Sequence, residues 1–257
     1  AKAAPQGVNT KENARRIIAA ATGEGLRPDR VLVAPPAHNV AFFGANHEGL
    51  DGGGHHLPVG SRWEDIWGVR WHREHEGVMG FPRGHPLADL PRAIATYDWP
   101  DPDDPRICSR IYDQASGWDQ GTDFLVGSHR DTLWEKSYML VGMESMMIGF
   151  YTASDAVREL LRRIMDFHLG IARHYVKVGV EMVGMSDDLG TQRGLLLSPQ
   201  IIETFLVPEY RRLFDFYKSH GVLINFHSCG HVMPLLETFI DLGVDILNPV
   251  QATANDL

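Results

Sequence analysis

The pair His227 and Cys229 is the sharpest chemical signal in the sequence. Both residues follow an apolar run at 222–226 (VLINF) that predicts a β-strand, and a spacing of two places their side chains on one side of an extended chain. Imidazole nitrogen and thiolate sulfur are both good ligands for Zn²⁺. A buried thiol beside a structural histidine would give the same pattern, so a metal site requires a third ligand. The sequence offers four candidates, none at a diagnostic spacing: Cys108, His129, Asp187 and His231.

Polar residues also follow the apolar runs at 123–127, 180–185 and 244–247, each of which predicts a strand. These residues are His129, Asp187, Asp188, Asn248 and Gln251. Asp187 is the candidate catalytic acid or base, and the other four are candidate substrate-binding groups. The alternative roles are capping or turn formation for the two aspartates and hydrogen bonding to loop backbone for the two amides.

Charge at these strand ends bears on the kind of substrate. The loops after the predicted strands contribute one basic residue, Arg130, against four acidic ones, namely Asp131, Asp187, Asp188 and, nearby, Asp256. Burying a polyanion requires several arginines or lysines to offset its desolvation. We therefore expect a pocket that repels a polyanion and accepts a neutral or cationic small molecule.

The elements that must position these residues alternate between strand and helix, which is typical of a parallel α/β fold. Five core strands are predicted, at 31–34, 123–127, 180–185, 222–226 and 244–247. In a (β/α)₈ barrel of the TIM type, active-site residues follow the carboxyl ends of the strands. A closed barrel needs more strands than these, so we expect an incomplete barrel lacking its C-terminal units. The strand at 244–247 would then be an exposed edge, which a second copy of the chain could cover in a homo-oligomer.

The chain is predicted to be a single domain over residues 1–257. Helical and hairpin segments precede about residue 120, and regular βα units occupy about 121–257. Helices are predicted at 11–21, 88–96, 104–118, 132–147, 154–178, 199–220 and 231–242, and a β-hairpin at 63–81.

Composition excludes several classes of protein. The 257 residues carry a net charge of −9, which argues against a nucleic-acid partner. The longest apolar runs fall short of the ~20 residues that cross a bilayer, so no membrane association is expected. The sequence contains two distant cysteines, which suits a reducing, cytoplasmic location. It contains no dinucleotide, P-loop or α/β-hydrolase motif.

Several segments resemble the uroporphyrinogen decarboxylase-like superfamily. They are 187–192 (DDLGTQ), 197–199 (LSP), 227–230 (HSCG) and 243–251 (GVDILNPVQ), with looser similarity at 29–31 (DRV) and 99–103 (WPDPD). The resemblance covers nearly the whole chain, is strongest after about residue 180, and implies a TIM-type barrel.

The superfamily has two known chemistries, and the motifs are closest to its zinc-dependent methyltransferases. That branch moves a methyl group between a small methylated substrate or thiol and a corrinoid on a separate protein. Its metal motif is His-x-Cys, matched by His227 and Cys229, and a later cysteine that would lie beyond Leu257. The second chemistry is metal-free decarboxylation of uroporphyrinogen, whose Arg-Gln-Ala-Gly-Arg-Tyr segment is replaced here by 34–39 (APPAHN). A third reading is a non-catalytic barrel fragment that binds a ligand or a partner.

Overall fold

The structure is a computed structural model that describes residues 10–21, 40–44 and 53–255. The predicted strand at 31–34 and the acidic Asp256 lie outside the described residues. Within these ranges the first strand of the main sheet is Val40–Gly44, which the sequence did not indicate.

The described chain begins with helix α1 (Thr10–Ala21) and strand β1 (Val40–Gly44). A second, three-stranded sheet follows, with β2 (Arg62–Glu64), β3 (Arg70–His72) and β4 (Phe81–Gly84), and then helices α2 (Leu90–Ala93) and α3 (Pro105–Ala115). The remaining elements are β5 (Phe124–His129), α4 (Trp134–Val141), α5 (Met143–Thr152), α6 (Ser154–Val178), β6 (Met182–Ser186), α7 (Pro199–Ile201), a π-helical turn (Ile202–Leu206), α8 (Val207–Ser219), β7 (Leu223–His227), a 3₁₀ turn (Met233–Leu235), α9 (Leu236–Asp241) and β8 (Ile246–Asn248). Among the described helices, none has both the length and the apolar composition needed to span a bilayer.

The main sheet is parallel, with strand order β1–β5–β6–β7–β8. A parallel sheet of this kind requires cover on its faces, and the helices that connect its strands cover one of the two. The predicted α/β architecture is therefore confirmed. Over residues 40–44 and 53–255 the sheet does not close on itself, since β1 and β8 are its two edges. The strand predicted at an edge, 244–247, corresponds to β8.

The two faces of this sheet bury different kinds of side chain, because successive residues of a strand point to opposite faces. On the face toward the connecting helices, Leu125, Val183 and Ile224 are fully buried in the main core. The opposite face is apolar at its base, where Ala14 of α1 packs against Val126, and it becomes polar toward the carboxyl ends of the strands. The chemistry-bearing residues lie at that polar end.

Helix predictions hold where caps and periodicity agree. The helix predicted at 154–178 coincides with α6, which ends at Gly179 with a left-handed φ of 80°. The helix predicted at 132–147 is interrupted, because Gly142 adopts a φ of 94° and separates α4 from α5. Ser198 caps α7 as predicted, accepting the backbone N–H of Ile201 at 3.3 Å. Residues 63–81 were predicted to form a single β-hairpin. In the structure they run through three antiparallel strands, from β2 to the start of β4, with a connection on either side of β3.

Candidate metal centre

Three possible metal ligands meet at the carboxyl ends of β6 and β7. Strand β7 ends at His227, Cys229 lies two residues further on, and Asp188 lies two residues beyond the end of β6. The Sγ atom of Cys229 is 3.3 Å from Nε2 of His227, and that nitrogen is 3.7 Å from Oδ1 of Asp188. One donor atom from each residue lies within 4.8 Å of the other two. We call Asp188, His227 and Cys229 the metal group.

Asp188 is the third member of this group, although the sequence indicated it only as a substrate-binding residue. Its carboxylate is held in place because the backbone N–H of Cys229 donates to Oδ1 at 2.9 Å. None of the four residues proposed from sequence as third ligand belongs to the group, which is the single such cluster in the described part of the chain. Those residues are Cys108, His129, Asp187 and His231.

Asn248 orients the imidazole of His227. The amide group of Asn248 donates to the side-chain oxygen of Asn225 and, at 3.4 Å, to the carbonyl of Phe226. The Asn248 oxygen therefore faces His227 and accepts from its Nδ1 at 3.0 Å. This leaves the lone pair of Nε2 directed toward Cys229. Metal-binding histidines commonly donate their second ring N–H to such a partner, so Asn248 has the contacts of a residue that supports a metal ligand.

The donor set fits a zinc ion. Burial and the adjacent Asp188 carboxylate raise the pKa of the Cys229 thiol, so thiolate and carboxylate repel each other unless a cation lies between them. Sulfur, nitrogen and oxygen donors are all ordinary zinc ligands. Zinc bond lengths of about 2.3 Å to sulfur and 2.0–2.1 Å to nitrogen separate the two donors by about 3.5 Å in a tetrahedral site. The distance between Sγ and Nε2 is 3.3 Å.

The loops that carry Asp188 and Cys229 are packed against each other through two glycines. A Cβ atom on Gly190 would lie 2.6 Å from the carbonyl oxygen of Cys229, and one on Gly230 would lie 2.5 Å from the backbone of Gly190. Gly230 also has a left-handed φ of 83°, a conformation that favours glycine. Larger residues cannot occupy either position without separating the two loops.

Asp187 has a different environment from its neighbour Asp188. It is fully buried, and its carboxylate accepts the backbone N–H groups of Leu133, Trp134 and Glu135 at 2.7–2.9 Å as well as the hydroxyl of Tyr210. Burial raises the pKa of Asp187 to about 6, against the opposing effect of these hydrogen bonds. Asp187 therefore fixes the first turn of α4 to the end of β6. The catalytic role predicted from sequence remains a prediction.

Glu135, in the first turn of α4, is a functional candidate that the sequence did not indicate. Its Oε2 accepts the backbone N–H of Asp188 at 3.3 Å, and its Oε1 accepts from the hydroxyl of Tyr138 at 3.4 Å. Burial, followed by the nearby negative charges of Asp131, Asp187 and Asp188, raises the pKa of Glu135 to about 9. The carboxyl group thus retains its proton at neutral pH beside the metal group. An isolated glutamate in an apolar helix gives no signal for this in the sequence.

The shifted pKa of Glu135 predicts a pH-dependent stability in chelator-treated protein. The unfolded chain releases this proton near the ordinary pKa of 4.5, whereas the folded chain holds it up to about pH 9. The folded state binds more protons between these values, so its stability falls as pH rises. We expect Glu135→Gln to remove this loss and to be more stable than wild type by on the order of 2 kcal/mol at pH 8. Thermal melts from pH 5 to 9 measure the difference. The exposed Glu144→Gln is the control, and parallel curves for wild type and Glu135→Gln would contradict the expectation.

The remaining predicted site residues lie outside the metal group. His129 is 2% exposed, and its ring contacts His168 at 3.0 Å and the hydroxyl of Tyr217 on the helix-facing side of the sheet. The side-chain oxygen of Gln251 accepts the backbone N–H of Gly230, which is the loop-backbone contact considered as its alternative role. Substrate binding by these two residues remains a prediction.

A cavity of about 350 Å³ adjoins the metal group on the polar side of the sheet. Among the residues that border it are Ser128, Arg130, Gly184, Ser186, Asn225 and His227. No aspartate or glutamate is among the described residues that border this cavity, although Asp188 lies beside His227 at its margin, so the acidic pocket expected from sequence remains a prediction. Asp187 is buried at the start of α4, Asp131 is 4% exposed beside Arg130, and Asp256 lies outside the described ranges.

Comparison with known proteins bears on the identity of the chain. The sequence profile of the uroporphyrinogen decarboxylase (URO-D) family matches residues 134–253, a segment that contains the metal group and Asn248. A solved structure of a methyltransferase from Methanosarcina mazei is similar with a TM-score of 0.61 and 16% sequence identity, over 93% of this chain and 75% of that one. At this identity the similarity demonstrates a shared fold. A search of curated proteins found no significant match. The resemblance to the uroporphyrinogen decarboxylase-like superfamily that the sequence motifs indicated is thus confirmed over residues 134–253, the segment that matches the family's profile.

Proposed function

We propose that this protein is a zinc-dependent methyltransferase that moves a methyl group between a small methylated substrate or thiol and a corrinoid protein. The observation that carries the proposal is the convergence of Asp188, His227 and Cys229 at the carboxyl ends of two adjacent strands. The structural similarity to a methyltransferase at 16% identity supports the choice of reaction. We also propose that the parallel sheet belongs to a (β/α)₈ barrel, as expected for the superfamily.

Each residue around the metal group has a distinct task in this proposal. His227 and Cys229 supply nitrogen and sulfur ligands, and Asp188 supplies an oxygen ligand. Zn²⁺ held there would lower the pKa of a thiol and so provide a nucleophile at neutral pH. Asn248 holds the Nε2 atom of His227 toward the site. Glu135 keeps its proton on a carboxyl oxygen and so adds no further negative charge beside Cys229.

The corrinoid is proposed to arrive on a separate protein. The sequence contains no DxHxxG pattern of the kind that binds cobalamin. The cavity beside the metal group, at about 350 Å³, is of a size for a small substrate. We also propose a cytoplasmic location, because both Cys108 and Cys229 are free thiols.

The alternative is metal-free decarboxylation of uroporphyrinogen, the reaction after which the matching family is named. A porphyrinogen bearing many carboxylates requires several basic side chains around it to offset desolvation. Among the described residues, the cavity beside His227 is bordered by one arginine, Arg130, and by no lysine. The charge of the site therefore favours the methyltransferase.

A paired assay on a single preparation distinguishes the two reactions. We expect methyl transfer from methylcobalamin to a small thiol such as 3-mercaptopropionate, with loss of the activity on chelation and its return when zinc is added. We expect no decarboxylation of uroporphyrinogen under either condition. Porphyrinogen turnover that survives chelation would overturn the proposal in favour of the decarboxylase. A metal-loaded protein inactive in both reactions would also contradict it.

A further inference from the structure

The floor of the cavity is formed by three residues in register on adjacent strands. Ser128 of β5 pairs with Gly184 of β6, and Gly184 pairs with Asn225 of β7. A Cβ atom added to Gly184 would meet its nearest neighbour, the carbonyl oxygen of Gly127, at 3.9 Å, which is ordinary van der Waals contact. Gly184 therefore leaves a gap between the side chains of Ser128 and Asn225. With strands about 4.8 Å apart, this gap is about 10 Å wide.

The polar groups around this gap can donate hydrogen bonds. The side-chain oxygen of Asn225 already accepts from Asn248, and among the described residues the amide N–H₂ group of Asn225 has no acceptor. The hydroxyl of Ser128 likewise has no partner within the described part of the chain. Both side chains border the cavity. A ligand placed above Gly184 that brings acceptors can therefore satisfy both groups.

Arg130 adds a positive charge at one end of the same gap. Its Nε lies 3.5 Å from the Asp131 carboxylate, which orients the guanidinium. Its Nη2 contacts the sulfur of Met79 at 3.6 Å, and Arg130 borders the cavity. An arginine can pair with a carboxylate through two hydrogen bonds.

We propose that Ser128, Gly184, Asn225 and Arg130 form a binding site for the carboxylate of a small anionic substrate, which we call the carboxylate cradle. The inference rests on the proposed function, because it assigns the reacting end of that substrate to the metal group. Asn225 and His227 are two residues apart on β7, so the cradle lies about 7 Å from the metal group. This distance fits a carboxylic acid with a short aliphatic chain. Arg130 is then a specificity-determining residue for the methyl substrate.

The test compares 3-methoxypropionate with its neutral analogue 3-methoxypropionamide by isothermal titration calorimetry of the purified protein. A methoxy group is a poor zinc ligand, so the affinity reports the cradle and not the metal. We expect wild type to bind the carboxylate at least about tenfold more tightly than the amide. Arg130→Gln should abolish this preference. Arg193→Gln, which removes the same charge from an exposed loop, should leave it unchanged.

A second variant tests the space above Gly184. Gly184→Val has room for its Cβ and projects two methyl groups into the gap, so we expect it to bind neither compound while retaining its zinc. Equal affinities of wild type for the two compounds, binding of neither, or a preference that survives Arg130→Gln would overturn the cradle. Zinc content of the same samples separates the two proposals. A zinc-free protein with a strong carboxylate preference would contradict the methyltransferase and support the cradle. A zinc-loaded protein without that preference would support the methyltransferase and contradict the cradle.

Discussion

Replacing Asp187 with alanine is expected to lower the free energy of unfolding by about 3–5 kcal/mol. The change leaves three backbone N–H groups at the start of α4, and the Tyr210 hydroxyl, without their acceptor. Each buried donor left unsatisfied costs about 1–3 kcal/mol. The first turn of α4 also loses the negative charge that favours a helix N-terminus.

Asp188→Ala is the matched control for this effect. Its carboxylate accepts one backbone N–H, from Cys229, and its side chain is 41% exposed, so we expect a loss of less than about 1 kcal/mol. Urea unfolding of chelator-treated samples, followed by circular dichroism, measures both variants without a contribution from bound metal. Similar losses in the two variants would show that Asp187 does not have the structural role described here.

Cys229→Ser is expected to lose the bound zinc, with an affinity reduced by more than about 100-fold. A serine hydroxyl remains protonated at neutral pH and is a much weaker zinc ligand than a thiolate. Cys108→Ser should retain about one zinc per chain. Cys108 lies in α3, where its sulfur contacts the carbonyl of Asp103 at 3.6 Å, and it is not part of the metal group.

Elemental analysis after dialysis against a weak chelator measures zinc in both cysteine variants. Far-UV circular dichroism of the same samples verifies that each is folded. The same zinc content per chain in Cys229→Ser and Cys108→Ser would contradict the assignment of Cys229 as a ligand.

The sequence was sufficient for the parts of the fold that depend on simple periodicity. Strands β5 to β8 and helix α6 follow from apolar runs and a glycine stop, and their order implies that residues at the strand ends come together. That logic brought Asp188, His227 and Cys229 to one edge. The break at Gly142 was missed because an apolar stretch on both sides of a glycine resembles one continuous helix.

The separate roles of Asp187 and Asp188 could not be read from the sequence. The side chains of adjacent residues in an extended chain point in opposite directions. Which of the two aspartates points toward α4 depends on where strand β6 ends. His129 shows the same dependence. The predicted strand stopped at 127, which placed His129 in a loop, whereas β5 continues to His129 and its ring turns toward the helices. One or two residues of error at a strand end thus decide which face a side chain occupies.

The close contact between the loops at Gly190 and Gly230 affects how the protein would take up a metal ion. Because the two loops touch through backbone atoms, the fold itself holds Asp188 beside Cys229, and little conformational entropy would be left to lose when an ion binds. In small zinc domains, metal uptake and folding are one event. Here the ion would enter a preorganised site in a folded protein, so its exchange would be limited by access from solvent and by ligand deprotonation.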